Sequence, residues 1–131
     1  MSLYRTVLLV DDDYEDQEIF IEALKEVDPS VYCFCASDGE EALKLLNEDP
    51  IFKPDLVFMD INMPRLNGKD VLQEIRKKDP KRSIPVIMYS TFFGPSDIEE
   101  TRAYGAAHHM VKSNNFVDLC AGLRRILTKK W

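Results

Sequence analysis

The sequence predicts an α/β fold in three layers, a five-stranded parallel sheet held between helices. Three observations carry that expectation. Apolar runs of strand length alternate five times with segments of helical period. Strict alternation implies parallel strands, because each helix serves as the crossover that returns the chain to the same edge of the sheet. The first run, "TVLLV" (6–10), is apolar without interruption, as befits a strand covered on both faces. The connections are short, with no linker, internal repeat or low-complexity stretch.

The elements follow in order. From Asp13 to about Val27, the residues Ile19, Phe20, Ala23, Leu24 and Val27 recur at helical spacing, and "DPS" ends this first helix. "VYCFCA" (31–36) is the second strand. "SDGEEALKLLNED" (37–49) opens on a Ser/Asp cap and sets Ala42, Leu43, Leu45 and Leu46 on one stripe, a second helix. "DLVFM" (55–59) is the third strand, and beyond the loop "DINMPRLNG" (60–68) Val71, Leu72 and Ile75 mark the third helix. "PVIMY" (85–89) is the fourth strand. "PSDIEETRAYG" (95–105) is a short helix with Pro and Ser at its start and Gly105 at its end. "HHMV" (108–111) reads as a shorter, weaker fifth strand. "NFVDLCAGLRRILTKK" (115–130) closes the chain as a fifth helix, with Phe116, Leu119, Leu123, Ile126 and Leu127 directed inward. Right-handed crossovers leave few topologies, and at this length the doubly wound, flavodoxin-like order 2-1-3-4-5 is expected. Ligands of such sheets bind beyond the carboxyl ends of the strands, where strand one meets strand three.

The 131 residues suit a single domain, 1–131, with its core at about 6–127, and a hydrophobic fraction of 45% is enough to fill that core. Against 23 acidic residues stand 17 basic ones, a net charge of -6 that disfavours nonspecific nucleic-acid binding and docking on anionic membranes. The cationic "LRRILTKK" near the C-terminus is read as basic residues complementing a helix dipole. Cys33, Cys35 and Cys120 have no metal-type spacing and read as small buried thiols. No apolar stretch approaches transmembrane length and the N-terminus lacks a signal-peptide pattern, so a reduced, cytoplasmic protein is expected.

The predicted topology brings four strand ends to one crevice. Strand one delivers Asp11, Asp12 and Asp13; strand three delivers Asp60, with Asn62 two residues on. Strand four delivers Ser90 and Thr91, and strand five delivers Lys112. Strand two brings Ser37 and Asp38 to the sheet's edge, away from the switch point. Singly, these residues have ordinary uses. A strand-ending Asp is most often a helix cap, a Ser a loop residue, and a Lys a solvated surface group. Together they are complementary. Carboxylates from two strands form an oxygen-rich anionic pocket suited to Mg²⁺, which prefers hard oxygen ligands. A phosphoryl group is the usual companion of Mg²⁺, and Ser90 and Lys112 supply a hydroxyl donor and a compact positive charge for its oxygens. Asp60 is the candidate nucleophile, forming an aspartyl phosphate.

"LLVDDD", "LVFMDINMPRLNG", "IPVIMYST", "YGA" and "MVK" together resemble the response-regulator receiver domain of two-component signalling, chemotaxis regulators included, over about Thr6 to Leu127. The resemblance implies an acidic metal-binding pair at Asp11 and Asp12, the phosphoacceptor at Asp60, and a backbone carbonyl ligand at Asn62. It further implies a phosphate-sensing hydroxyl at Ser90 and a phosphate-pairing lysine at Lys112. Mg²⁺ is the implied cofactor, with Mn²⁺ able to substitute. A sensor histidine kinase or histidine phosphotransfer protein is the implied donor, and a further protein the target. A phosphorylation-dependent dimer fits the same pattern. Transfer to Asp60 would make the domain a self-modifying switch rather than a turnover enzyme, with no DNA-binding output domain in this chain.

Asp13 falls outside the pair and is read as the start of the first helix. Two positions depart from the family. Ser113 stands where Pro, commonly in a cis peptide, usually follows the lysine, which predicts a different course for the loop before the last helix. His109 occupies the position of the usual switch aromatic, and an imidazole there suggests a pH-sensitive readout. Phe92, two residues past Ser90, is placed to hinder a hydrolytic water, predicting slow self-dephosphorylation. Two other classes compete. "LLVDDDYE" contains the Asp-x-Asp of haloacid-dehalogenase-type phosphatases, but Glu15 stands where Thr or Val is wanted. A flavodoxin-like FMN site needs a hydroxyl-rich loop where this chain has carboxylates.

Overall fold

The computed structural model describes residues 2–48 and 52–131. Three strands are buried on both faces and therefore lie in the middle of one parallel sheet: β1 (Thr6–Val10), β3 (Leu56–Met59) and β4 (Val86–Ser90). β2 (Tyr32–Ala36) and β5 (His108–Val111) are half-exposed and form its edges. The order is β2-β1-β3-β4-β5, as the alternation of patterns predicts. Side chains alternate across the pleat, so each strand feeds two cores. Val7, Leu9, Phe58, Ile87 and Tyr89 face one way, with Phe20, Ala23, Leu24, Leu119 and Leu123 from two helices. Leu8, Val10, Val57, Met59 and Met88 face the other, with Ala42, Val71, Leu72 and Ile75. Full burial of each large aliphatic or aromatic side chain contributes about 1.5–3 kcal/mol, so both layers stabilise the sheet strongly.

Five helices complete the layers: α1 (Tyr14–Val27), α2 (Gly39–Glu48), α3 (Gly68–Lys78), α4 (Pro95–Ala103) and α5 (Phe116–Leu127). Their starts obey local chemistry. Asp13 caps α1, accepting from the N–H groups of Glu15 and Asp16; Asn67 caps α3 and Asn115 caps α5. Asp38 accepts from the Glu41 N–H at 2.7 Å at the head of α2. Gly105, at φ +96, turns the chain out of α4, a conformation that favours glycine. The expected end of the second helix at Asp49 lies outside the described residues. No helix among the described residues is long and apolar enough to cross a membrane.

Several expectations need correction. Ile19 is exposed, because the inward stripe of α1 runs through Phe20, Ala23 and Leu24 and residue 19 sits about 100° away from Phe20. Gln17, a polar residue, is buried at the head of that stripe instead. Phe116 has the right period but is 42% exposed in the first turn of α5, where there is no facing layer to receive it. That helix stops at Leu127 rather than Lys130, capped by Thr128. Of the three free thiols only Cys120 is buried; Cys33 and Cys35 are half-covered, because β2 is an edge strand.

Candidate functional site

Backbone hydrogen bonds carry the sheet ladder one residue beyond the carboxyl ends of the strands. The Asp11 N–H donates to the Ala36 carbonyl (3.0 Å) and the Asp60 N–H to that of Val10 (2.9 Å). The Lys112 N–H donates to the Ser90 carbonyl (2.8 Å). Asp11, Asp60, Ser90 and Lys112 are thus presented side by side by four adjacent strands. The loop after Asp60 bends back through hydrogen bonds to the Ile61 carbonyl from Met63 and Gly68. Gly68 must be glycine here, since a Cβ would overlap the Asp60 carbonyl.

One ammonium lies at the centre. Lys112 Nζ is 2.7 Å from Asp11 Oδ2, 2.9 Å from Asp16 Oδ2 and 3.3 Å from Asp60 Oδ2. It also lies 5.4 Å from the Tyr89 ring centroid. The other oxygens of the two buried carboxylates are held by backbone: Asp13 N–H donates to Asp11 Oδ1 (3.0 Å) and Asn62 N–H to Asp60 Oδ1 (3.2 Å). Asp11 and Asp60 are buried, Asp12 is exposed, and one oxygen from each lies within 4.8 Å of the others.

The electrostatics show a pocket with more negative charge than its lysine can balance. Burial pushes the Asp60 carboxyl up to about 6; Lys112 opposes this and the Asp11 charge adds to it. Burial likewise raises Asp11, against the Lys112 hydrogen bond. The ammonium is held above its ordinary value, burial being outweighed by hydrogen bonds to Asp11 and Asp16 and by the charge of Asp60. An all-oxygen set of three converging carboxylates, two of them raised by burial, fits a hard divalent cation and has no soft ligand to favour another metal.

Ser90 is 1% exposed, and its Oγ has no hydrogen-bond partner among the described residues. A buried hydroxyl without a partner is costly and points to a ligand that satisfies it. Thr91 is exposed. Ser37 and Asp38 do not join the pocket: Ser37 Oγ accepts from Gln17 Nε2 (3.3 Å), and Asp38 pairs with Arg65 (3.3 Å). Phe92 is 70% exposed, its ring mostly in solvent. No cis peptide occurs among the described residues, so Lys112–Ser113 is trans, and Ser113 instead opens the turn to α5 by accepting from Asn115 N–H (3.1 Å).

His109 is half-buried between β5 and α4. Its Nε2 lies 2.6 Å from Thr101 Oγ1, and its ring meets Phe93 edge-on at 5.3 Å. The Thr101 hydroxyl donates to the Asp97 carbonyl (2.6 Å), so it must accept from His109, which makes Nε2 the protonated nitrogen. Burial, then Arg102 and His108, hold this imidazole below its ordinary value.

Two site residues escaped the sequence reading, Asp16 and Gln17. Gln17 Nε2 donates to the Asp11 carbonyl at 2.7 Å, tying α1 to the end of β1. The available signal was position: both lie in the first turn of a helix that begins at the pocket.

The model of one family, the response regulator receiver domain, matches residues 7–124. The probable transcriptional regulator ycf27 of Guillardia theta is 35% identical over 123 residues, 94% of this chain but 45% of that protein. The chain therefore spans about half the length of such relatives. The phosphorylated cyanobacterial phytochrome response regulator RcpA superposes with a TM-score of 0.84 at 28% identity, covering 94% of this chain and 91% of that one. The Mn²⁺-bound form of the response regulator Rcp1 superposes at 0.80 with 28% identity, covering 93% and 91%. The chain belongs to the response regulator receiver domain family.

Proposed function

Starting from that membership, we propose that this domain takes a phosphoryl group from a phosphohistidine onto Asp60 and thereby switches its contacts with other proteins. The observation that carries the reading is the single ammonium of Lys112 shared among buried carboxylates, one of which is raised to about 6 yet still mostly ionised at pH 7. An Asp60 carboxylate oxygen attacks phosphorus, the P–O bond forms as the P–N bond of the donor breaks, and the departing imidazole keeps the electron pair. Lys112 pairs with a phosphoryl oxygen. Ser90 Oγ, buried and without a partner, donates to another. Asp11, Asp12, Asp60 and the Asn62 backbone carbonyl would hold Mg²⁺, with Mn²⁺ as a substitute of the same hard-oxygen preference. When bound, that ion neutralises charge on the transferred group.

The donor is a sensor histidine kinase or a histidine phosphotransfer protein, and the product is the modified domain rather than a released molecule. The surface of β4, β5, α4 and α5 is the readout, with a downstream protein or a second, phosphorylated copy as its partner. Within that surface His109 of β5 is joined to Thr101 of α4 at 2.6 Å. The family carries this proposal against a haloacid-dehalogenase-type phosphatase, whose Asp-x-Asp would need Asp13 in the pocket; here Asp13 caps α1.

The test is incubation with acetyl phosphate and Mg²⁺, followed by location of the added mass. Modification of Asp60 is expected. An unmodified Asp60, or modification that survives Asp60→Asn, overturns the proposal. A phosphoryl half-life of minutes or longer is expected from Phe92 beside the site; a half-life of seconds removes that shielding role.

A further inference from the structure

Lys112 Nζ lies among three carboxylates: it donates to Asp16 (2.9 Å) and Asp60 (3.3 Å) and pairs by charge with Asp11 at 2.7 Å, whose Oδ2 has no hydrogen-bond partner. Two of these carboxylates belong to the proposed cation set, together with Asp12, whereas Asp16 does not. A divalent ion among Asp11, Asp12 and Asp60 draws off the charge that attracts the lysine and repels the ammonium directly. Nothing in the cation set then keeps Lys112 at the pocket.

Asp16 is built to do so. It is the third residue of α1, where negative charge is favoured by the dipole and where a Glu or Gln would ordinarily reach back to the cap residue's N–H. Here that N–H, on Asp13, donates instead to Asp11 Oδ1 at 3.0 Å. The Asp16 carboxylate is thereby left to reach a lysine 96 positions along the chain. Its backbone is fixed on both sides, its own N–H donating to Asp13 Oδ1 (3.2 Å) and Gln17 Nε2 donating to the Asp11 carbonyl (2.7 Å). The Lys112 ammonium is also steadied over the Tyr89 ring.

We propose that Asp16 is the standing anchor of Lys112, holding the ammonium beside Asp60 while a divalent cation occupies the other carboxylates. Asp16 is a positioning residue that acts through Lys112, and its value to phosphoryl transfer rests on the function proposed above. It separates two duties of the pocket. Asp11 and Asp12 hold the cation, and Asp16 holds the counter-charge that the phosphoryl oxygens require.

The experiment follows the Lys112 ammonium resonance by side-chain ¹⁵N NMR through a Mg²⁺ titration, assigned with Lys112→Arg. Wild type retains a slowly exchanging signal to saturation. Asp16→Asn loses it as Mg²⁺ binds, while Asp16→Glu, which keeps the charge one methylene farther out, retains it. At saturating Mg²⁺ the rate of modification by acetyl phosphate falls by about ten- to a hundredfold in Asp16→Asn, the scale of losing an outer residue that orients a site group, and recovers in Asp16→Glu. Thermal midpoints of the two variants stay within a few degrees of wild type, which separates anchoring from folding. A signal that survives the titration in Asp16→Asn overturns the anchor, and a lost signal with an unchanged saturated rate overturns its part in transfer. If wild type takes up no phosphoryl group at Asp60, the proposed function falls, yet the resonance still decides the anchor.

Discussion

Two ionic clusters, one buried and one half-buried, sit at opposite ends of the sheet, and they are balanced in opposite ways. At the carboxyl edge, one lysine serves three aspartates, and burial leaves Asp60 and Asp11 raised. At the amino edge, Arg76 Nη1 meets Asp79 Oδ2 (3.2 Å) and the Ile84 carbonyl (2.8 Å), while Nη2 meets the Gly105 carbonyl (3.0 Å). Asp79 also accepts from the Ser83 hydroxyl (2.6 Å) and from the backbone N–H groups of Ser83 and Ile84. Burial pushes Asp79 up as well, but hydrogen bonds from Ser83 and Ile84 and the Arg76 charge more than offset it, and the carboxyl ends below its ordinary value. The difference is the number of donors per carboxylate. The amino-edge cluster satisfies its carboxylate, leaves Arg76 Nε without a hydrogen-bond partner, and ties α3 to the entries of β4 and β5. The carboxyl-edge cluster is short of positive charge and of donors, the condition of a site that waits for a ligand.

That contrast can be broken by substitution. The largest effect is expected at the acceptor: Asp60→Asn abolishes modification by acetyl phosphate, read by intact-protein mass. Next, Asp79→Ala leaves the half-buried Arg76 without its counter-charge and is expected to destabilise the fold by about 2 kcal/mol, measured by urea unfolding. Asp60→Asn has the opposite sign in the same measurement. The carboxyl of Asp60 is raised from 3.8 to about 6, so ionising it costs folding free energy as pH rises between those values. The Asn variant is therefore expected to be more stable than wild type by about 2–3 kcal/mol above pH 6, with the difference vanishing below pH 4. Saturating Mg²⁺ is expected to erase that gain by stabilising only the wild type; a gain that persists in Mg²⁺ would deny the cation site.

The smallest effect concerns the contact between β5 and α4. Thr101→Val removes the acceptor of the His109 N–H and is expected to cost about 1 kcal/mol. The pH-sensitive readout suggested by an imidazole at position 109 is constrained by its surroundings. Its value lies below 6.5, so its protonation and any loss of the Thr101 contact fall on the acid side of neutrality. Partner binding that stays constant from pH 7 to 8 and weakens only on acidification is the expected profile, measured with phosphorylated protein.

Much of the fold was legible because its signals are local. The uninterrupted apolar run of β1 marked it as covered on both faces, and the caps at Asp13 and Asp38 start their helices where expected. Ile19 failed because it lies off the inward stripe of α1, whereas Phe116 has the right period and is still exposed. Periodicity gives the direction of a side chain within its helix but not whether another layer stands opposite it.

The sequence by itself determined which chemical groups reach the carboxyl edge. A parallel order, once implied by alternation, puts every strand end on that edge, so Asp11, Asp60, Ser90 and Lys112 converge whatever their side chains then do. It also determined that Asp13 belongs to α1, since capping depends on neighbours two and three residues away. Only the tertiary structure decided how charge is shared there. Asp16 and Lys112 are 96 residues apart, and their 2.9 Å contact exists because α1 and β5 are held by the same sheet. No local pattern encodes such a distance. It follows from the packing of elements, which brings an aspartate in the first turn of α1 to a lysine at the end of β5.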